Sequence, residues 1–320
     1  FFLLFCHILP LDMAITTLIA KIIQTLLVMN DWRMIDLEVS CQEKEIVGCQ
    51  VKNLTMLEDF AQINYLFCDK TGTLTKNQLV FKFIAVGGHC IERDSRDSDF
   101  KEFTERVKNH SQIDEQFVDF WRCLCICHDV VQMKFEGKDD VSYTGSSQDE
   151  ITFLNMCRDV GFVHFVERES NRIRISVQGE IESYTVLKIV EFTSERKRMS
   201  VIVRRESDSK VINFIKGADV SIIPRVRHGH SKPNGRPDKF SHARTNLRKS
   251  EKIMNEKSSE GLRTLMFAMK NLDDGLTRET LDERYTDESF EEDIDLLGVT
   301  GLEDLLQDNV RQSVEQFREA

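Results

Sequence analysis

The segment Asp69-Lys70-Thr71-Gly72-Thr73-Leu74-Thr75 follows directly on a short apolar run, Ile63–Cys68. An apolar run of this length, ended by a charged residue, predicts a strand buried in a parallel sheet. Open α/β sheets place their active sites at the carboxyl ends of their strands, and Asp69 occupies that position here. The sequence therefore predicts an α/β fold with Asp69 in an active site at the carboxyl end of a strand.

The loop after Asp69 has the residue types that phosphate chemistry needs. An aspartate carboxylate can attack a γ-phosphoryl group and form an acyl phosphate. Lys70 can neutralise phosphoryl charge, Gly72 lets the backbone approach a phosphate closely, and threonine hydroxyls with loop amides can hold phosphoryl oxygens. The same residue types suit an ordinary turn after a strand, so this segment alone leaves both interpretations open.

Residues Phe1–Met29 are almost wholly apolar and exceed the ~20 residues that a helix needs to cross a bilayer. We predict a transmembrane helix here, with a buried helix of a soluble domain as the alternative. Pro10 removes a helix hydrogen bond and predicts a kink or an unwound turn. Broken membrane helices tend to line binding sites, and a charged Asp12 at that depth is a functional candidate.

The remainder of the chain predicts a large insert within an α/β domain. The predicted strands are Leu79–Val86, which ends in a Gly87-Gly88 turn, Ser183–Ile189, Arg198–Arg204, Lys210–Lys216 and Asp295–Gly301. The helix predicted after the last strand carries Leu306, Val310, Val314 and Phe317 at helical spacing. Strand and helix signals at both ends of the insert predict one α/β domain that a second domain interrupts.

Composition narrows the function further. The 43 Lys and Arg residues against 54 Asp and Glu give a net charge of −11, which argues against general nucleic-acid binding. Nine cysteines form no paired framework, which suits a cytosolic location for the soluble part. We interpret Cys123-x-Cys125-x-Cys127-His128 as buried core cysteines rather than a metal site. Because the chain starts at Phe1 in an apolar segment, we expect a piece of a longer protein.

Several motifs together carry a resemblance to one family. Residues 69–75 resemble the phosphorylation signature of P-type ATPases, within the haloacid-dehalogenase-like superfamily. The other matching motifs, in family order, are Tyr143–Glu150 (YTGSSQDE), Phe192–Ser200 (FTSERKRMS), Lys216–Asp219 (KGAD), Glu260–Leu265 (EGLRTL) and Leu302–Asp308 (LEDLLQD). The second and the fourth of these are similar to sequences of the phospholipid-transporting branch, the type IV ATPases or flippases.

The resemblance implies an architecture and a reaction. The architecture is a split haloacid-dehalogenase-like, Rossmann-type phosphorylation domain with an inserted α+β nucleotide-binding domain, preceded by one transmembrane helix that resembles the family's fourth. The implied bounds are 1–29 for the membrane helix, 30–81 and 293–320 for the phosphorylation domain, and 82–292 for the nucleotide-binding domain. The implied reaction is ATP-driven phospholipid translocation through an aspartyl phosphate on Asp69, with Mg²⁺ as cofactor.

The resemblance also implies roles for individual residues. Phe192 would stack on adenine, Lys216 would reach the nucleotide, Arg263 would bind its phosphate oxygens, and Glu150 would hydrogen-bond the nucleotide. Asp69, Lys70 and Thr71 would hold the γ-phosphoryl group. Mg²⁺ would bind Asp69 and the backbone carbonyl of Thr71.

Partners and location follow from the same resemblance. The protein would be an integral membrane protein with residues after about 30 facing the cytosol, a phospholipid substrate, a small two-span accessory subunit and no nucleic acid. The family's membrane motif reads roughly PISL, whereas this chain has Pro10-Leu11-Asp12-Met13, and Cys6-His7 stands where relatives often have Asn-Asn. These changes leave the transported lipid open. The alternatives are an ion-translocating P-type ATPase and a truncated, non-catalytic nucleotide-binding remnant.

Overall fold

The chain forms two compact units. A computed structural model describes residues 11–35, 40, 46–93, 99–109, 114–134, 141–227, 241–286 and 288–319. The larger unit is Lys70–Asp308, and the smaller combines Phe1–Asp69 with Asn309–Ala320. The predicted insert, 82–292, lies inside the larger unit, which extends beyond it at both ends.

Eleven strands occur in the described residues. They are β1 (Thr75–Val86), β2 (His89–Glu92), β3 (Val131–Lys134), β4 (Val141–Thr144), β5 (Val163–Glu169), β6 (Arg172–Val177), β7 (Glu180–Val190), β8 (Arg198–Arg205), β9 (Val211–Gly217), β10 (Arg263–Asn271) and β11 (Asp295–Leu306). Nine of them form one antiparallel sheet in the order β2-β1-β11-β10-β9-β8-β7-β6-β5, while β3 and β4 pair separately. The fold is therefore α/β with a large antiparallel sheet.

The helices are α1 (Leu11–Met29), α2 (Met56–Asp59), α3 (Asp99–Lys108), α4 (Glu115–Ile126), α5 (Gln148–Val160), α6 (Asp219–Ile222), α7 (Ser241–Ser259), α8 (Arg278–Arg284) and α9 (Val310–Glu319). Short 3-10 helices cover Trp32–Met34, Phe60–Gln62, Ile223–Arg225 and Ser289–Glu291. In α4, the Asp114 side chain caps the first turn by accepting from the backbone N–H of Phe117. In α5, Gly161 ends the helix at φ 65°, a left-handed conformation that suits glycine.

The sheet is covered on both faces. Helices α4 and α5 pack on one face, where Phe120 and Phe153 each meet the ring of Phe267 edge to face. Helix α7 packs on the other face, where its Met254 joins a core cluster with Phe83. Strand β1 supplies both cores because its successive side chains point to opposite faces.

Two glycines of β11 make room for that packing. A Cβ atom at Gly301 would lie 2.0 Å from the Phe83 ring, and one at Gly298 would lie 2.6 Å from the carbonyl oxygen of Ala85. Both glycines face β1 across the ladder, Gly301 opposite Phe83 and Gly298 opposite Val86. Close approach of β1 to β11 therefore requires glycine at these two positions.

Most predicted strands of the insert are confirmed. Strands β7, β8 and β9 contain the runs predicted from Ser183, Arg198 and Lys210, apart from Lys210 itself. Strand β1 contains the predicted run Leu79–Val86, and the Gly87-Gly88 turn follows it at positive φ. Cys123, Cys125 and Cys127 are buried, as predicted, and no group of potential metal ligands occurs among the described residues.

The prediction of a buried strand at Ile63–Cys68 is wrong. This run forms no strand and is exposed, with 92% of Phe67 accessible. A buried strand needs hydrogen-bonded neighbours, and none of the described strands pairs with this segment. The parallel sheet of the predicted phosphorylation domain is thus not shown in the described residues.

One residue of the predicted C-terminal helix belongs to a strand instead. Leu306 ends β11, where it pairs with Thr75 of β1, and the helix begins only at Val310. Helical spacing was correct for Val314 and Phe317 but was extended one turn too far. The ladder to β1 overrides that local periodicity because it supplies backbone hydrogen bonds up to Gln307.

The predicted transmembrane helix overlaps α1, which starts at Leu11. Cys6, His7 and Pro10 lie outside the described residues. Across the described part of the chain, every helix falls short of the length or apolarity required for a membrane span.

We expect residues 70–308 to unfold cooperatively as an isolated piece, whereas residues 82–292 should not. The shorter piece loses β11 and half of β1, which leaves β10 as an exposed edge and removes part of both cores. Fluorescence of the buried Trp121 during urea unfolding measures this, because the chain's other tryptophan, Trp32, lies outside both pieces. A cooperative transition of 82–292 at the midpoint of 70–308 would contradict the expectation.

Candidate functional site

A cleft of about 840 Å³ opens at one edge of the large sheet. Strands β7 and β9 end at this edge, and β8 and β10 begin there. Four residues predicted from separate motifs line the cleft: Glu150, Phe192, Lys216 and Arg263. They come from the start of α5, the loop after β7, the end of β9 and the start of β10.

Lys216 and Glu150 form a buried ion pair on one wall of the cleft. The ammonium group of Lys216 donates to Oε1 of Glu150, and both side chains are about nine-tenths buried. The second carboxylate oxygen, Oε2, accepts from the backbone N–H of Asp129 at 2.9 Å. Because a buried charge is costly without a partner, each of these groups keeps the other in place. Glu150 thus positions Lys216 and the turn at Asp129.

Arg263 and Asp149 form a second ion pair beside the first. The distance from Nη2 of Arg263 to Oδ2 of Asp149 is 3.1 Å. The two partners differ in exposure, since 61% of the Arg263 side chain is accessible but only 12% of Asp149. Burial raises the pKa of Asp149, and the positive charges of Arg263 and Lys216 act against that rise. Arg263 is thus an accessible cation on a fixed, buried anchor.

Phe192 presents an aromatic ring to the cleft from the loop between β7 and β8. The ring is 59% exposed, which is unusual for so large an apolar side chain. The loop is held by its own hydrogen bonds: Arg196 donates to the carbonyl of Glu191 at 2.9 Å, and the N–H of Lys197 donates to the carbonyl of Thr193 at 2.8 Å. An exposed ring on a braced loop offers a flat apolar surface to a ligand.

A fully buried carboxylate anchors that loop to the rest of the unit. Glu291 accepts hydrogen bonds from Arg196, Arg198 and Ser200, and Nε of Arg198 lies 2.5 Å from Oε2 of Glu291. Arg198 also donates to the carbonyl of Arg196 at 3.1 Å. Three polar residues of the predicted FTSERKRMS motif therefore act inside the protein, on Glu291, and its aromatic residue faces the cleft.

His128 occupies the turn between α4 and the cleft residue Asp129. Burial, together with the positive charges of Lys216 and Arg168, lowers the pKa of His128 to about 3. The neutral ring donates from Nε2 to the carbonyl of Cys125 at 2.9 Å and accepts at Nδ1 from the N–H of Val130 at 3.1 Å. This histidine is structural, since both ring nitrogens serve the turn.

The predicted phosphorylation loop forms a tight turn before β1. The N–H of Leu74 donates to the carbonyl of Lys70 at 2.9 Å, and Gly72 adopts φ 79°, in the left-handed region that favours glycine. Asp69 and Thr71 are exposed, and Lys70 forms an ion pair with Asp304 at 3.2 Å. The cleft is lined by residues 129–265, so the structure does not bring the loop residues into it.

Sequence reasoning missed Asp149 and Asp129 as cleft residues. Asp149 directly precedes Glu150 in the first turn of α5, where an acid is expected for helix stability alone. That ordinary role concealed its contact with Arg263. Asp129 contributes its backbone N–H to Glu150, and a backbone role leaves no signal in residue type.

Comparisons with known proteins bear on this geometry. A family described as "P-type ATPase, cytoplasmic domain N" matches residues 116–309. The chain is 30% identical over 352 residues to the phospholipid-transporting ATPase DRS2 of Saccharomyces cerevisiae. This alignment covers all of this chain and 24% of that protein. It is 31% identical over 354 residues to the phospholipid-transporting ATPase 11C of Mus musculus, covering all of this chain and 28% of the relative. The chain thus spans about a quarter of the length of the curated relatives it matches.

We expect Glu291→Gln to lower the free energy of unfolding by about 3–5 kcal/mol, because the buried Arg198 and the partly buried Arg196 lose their charged partner. The matched control is Glu292→Gln, a change at the exposed neighbour that should stay within about 0.5 kcal/mol. Urea unfolding monitored by Trp121 fluorescence measures both. Ser200→Ala, which removes one hydrogen bond, should cost about 1 kcal/mol. Equal stability of the two glutamine variants would contradict the role of Glu291.

Proposed function

Since the chain belongs to the P-type ATPases, in their type IV branch, we propose that its cleft binds ATP and that Asp69 accepts the γ-phosphoryl group. The observation that carries this proposal is the convergence of Glu150, Phe192, Lys216 and Arg263 on one cleft. These residues come from four motifs spread over more than a third of the chain. A volume of about 840 Å³ also falls within the range of about 300–1,000 Å³ that is usual for ligand pockets.

Different residues of the cleft would contact different parts of ATP. The exposed ring of Phe192 would stack on adenine, since a base and an aromatic ring both present flat π-faces. Lys216 and Arg263 supply cations for phosphate oxygens, and the guanidinium fork of Arg263 can bind two oxygens at once. Glu150 would hydrogen-bond the nucleotide, because each of its oxygens accepts from one protein donor, Lys216 or Asp129, and a carboxylate has further lone pairs.

The proposed reaction transfers a phosphoryl group without moving a proton. A carboxylate oxygen of Asp69 attacks the γ-phosphorus, the bond from that phosphorus to the bridging oxygen breaks, and ADP leaves with the bond's electron pair. Lys70 would neutralise charge on the transferred group. It lies towards the same end of the sheet as Arg263, because β1 and β10 both run antiparallel to β11, although β1 begins opposite Leu306 and β10 opposite Leu302.

The loop also offers suitable donors for Mg²⁺. The carboxylate of Asp69 and the backbone carbonyl of Thr71 are oxygen ligands, which Mg²⁺ prefers, and proteins usually hold this ion with one or two carboxylates, substrate phosphates and water. The residues present therefore fit the ion. When bound, it would neutralise charge on the phosphoryl oxygens.

The transported substrate is proposed at the level of the whole protein. The relatives' names specify phospholipid transport, and we propose the same activity here, at a membrane that residues 1–29 would enter, with a small two-span accessory subunit. Cys6, His7 and Asp12 are the residues of that segment that would meet the lipid headgroup. Residues after about 30 would face the cytosol, where ATP is available.

We expect Phe192→Ala to weaken ATP binding to the 320-residue chain by about 1–3 kcal/mol, the range for a base that loses an aromatic partner. Isothermal titration with ATP measures the change. Phe317→Ala serves as the control, because Phe317 is similarly exposed but lies in the smaller unit. Equal ATP affinity of the Phe192→Ala variant and the unaltered chain would refute the stacking role.

We expect the full-length protein, exposed briefly to γ-labelled ATP, to form an acid-stable and hydroxylamine-sensitive adduct that Asp69→Asn abolishes. Asp59→Asn, at another exposed aspartate, should leave the label intact. ATP hydrolysis should rise with added phospholipid and be indifferent to cations other than Mg²⁺. Label that persists in Asp69→Asn would remove Asp69 as acceptor, and stimulation by a cation but by no lipid would favour an ion pump. Absence of any adduct would indicate a non-catalytic nucleotide-binding chain.

A further inference from the structure

The proposed ATP site leaves the role of Asp149 unexplained. Its carboxylate is almost fully buried in the first turn of α5 and lines the cleft, where an anionic ligand would be repelled by it. Oδ1 of this carboxylate is buried without a hydrogen-bond partner among the described residues. Burial of a negative charge beside an anion site raises the free energy of the folded protein, so we expect this carboxylate to have a specific role there.

The surrounding charges show which cation serves Asp149. Three acids lie close together at this end of the sheet: Asp149, Glu150 and Asp304. Glu150 pairs with Lys216, and Asp304 pairs with Lys70 at 3.2 Å. Asp149 pairs with Arg263 at 3.1 Å, so each acid of this group has its own basic partner.

Arg263 needs an anchor more than Lys216 does. It is the first residue of β10, so its backbone is fixed by pairing with Leu302 of β11, but most of its side chain is exposed. An exposed arginine samples many rotamers and loses that freedom when it binds a phosphate. Lys216, in contrast, is already buried against Glu150.

We propose that Asp149 is a positioning residue that holds the guanidinium group of Arg263 at the cleft wall, ready for the phosphates of ATP. This inference rests on the proposed ATP site. A guanidinium group has five N–H donors, so Arg263 can keep its ion pair with Asp149 while it donates to a phosphate with other nitrogens. The ion pair is therefore retained in the complex, and ATP meets an arginine that is already ordered.

A competing role would have the opposite sign. If Asp149 were a counterion that ATP must displace, removal of its carboxylate would tighten ATP binding. Retention is favoured by the burial of Asp149, because displacement of Arg263 would leave a buried carboxylate without its cation. Retention and displacement can therefore be separated by the direction of one affinity change.

The test is a double-mutant cycle in the 320-residue chain, with Asp149→Ala, Arg263→Ala and both changes together, titrated with ATP and with AMP. Asp149→Ala should weaken ATP binding about 3- to 10-fold, the effect of one side chain that must be ordered on binding. AMP, which lacks the outer phosphates, should change less than about 2-fold. In the Arg263→Ala background, Asp149→Ala should have no further effect, because the arginine that it positions is gone.

Conservative and matched variants complete the test. Asp149→Asn keeps an oxygen acceptor for Arg263 and should bind ATP within about 2-fold of the unaltered chain. Asp159→Ala, at an exposed acid near the other end of α5, should have no effect on either ligand. Urea unfolding of each variant establishes that the chain is folded, and Asp149→Leu, of similar volume and without an acceptor, replaces Asp149→Ala if that variant is not.

Each of the following results would overturn the inference. Tighter ATP binding by Asp149→Ala would make the residue a displaced counterion. Equal losses for ATP and AMP, or a loss that persists without Arg263, would mean that Asp149 only stabilises the fold. Failure of the unaltered chain to bind ATP would remove the proposed function and this inference with it, whereas normal ATP binding with an unchanged Asp149→Ala variant would remove the inference alone.

Discussion

The buried carboxylate of Glu291 is the interaction on which the cleft depends. It joins the short helix before β11 to Arg196 and Arg198, which flank the end of the loop that carries Phe192. An uncompensated charge at this depth would destabilise the unit strongly, so both arginines are held in one arrangement. The loop between β7 and β8 thereby acquires a fixed shape, although its aromatic residue is exposed. Arg196 and Arg198 therefore act on the protein itself and only indirectly on a ligand.

Around the cleft, buried acidic side chains hold basic side chains in place by ion pairs. Its lining contains four acids, Asp129, Asp149, Glu150 and Glu191, and three bases, Lys197, Lys216 and Arg263. A ligand as anionic as ATP is thus not attracted by net charge. Binding depends instead on where individual cations are fixed, and buried acids do the fixing, as Glu150 does for Lys216. The acidic character of the whole chain is compatible with an anion site for that reason.

Sequence reasoning succeeded where local pattern and burial agree. Strands β7, β8 and β9 were predictable because apolar and polar residues alternate or run continuously between clear turns, and Phe192 and Arg263 because they stand in recognisable motifs. It failed where secondary structure depends on pairing with another strand. Ile63–Cys68 has the composition of a strand but no paired neighbour among the described strands. Leu306 has helical spacing but pairs with Thr75 of β1 instead. Asp149 escaped notice because its sequence position has an ordinary explanation.

The position of β11 in the sheet has a consequence for folding during synthesis on the ribosome. Strand β11 is the last of the unit to be synthesised, yet it lies between β1, the first, and β10. Until it emerges, β1 and its apolar residues Phe81 and Phe83 have β2 alone as a paired neighbour in the described sheet. Translation must therefore run almost to the end of the unit before β11 can join β1 to β10. During that interval the nascent chain has an unpaired, aggregation-prone strand edge at β1. Slow elongation through the segment between β1 and β11 would lengthen this exposure.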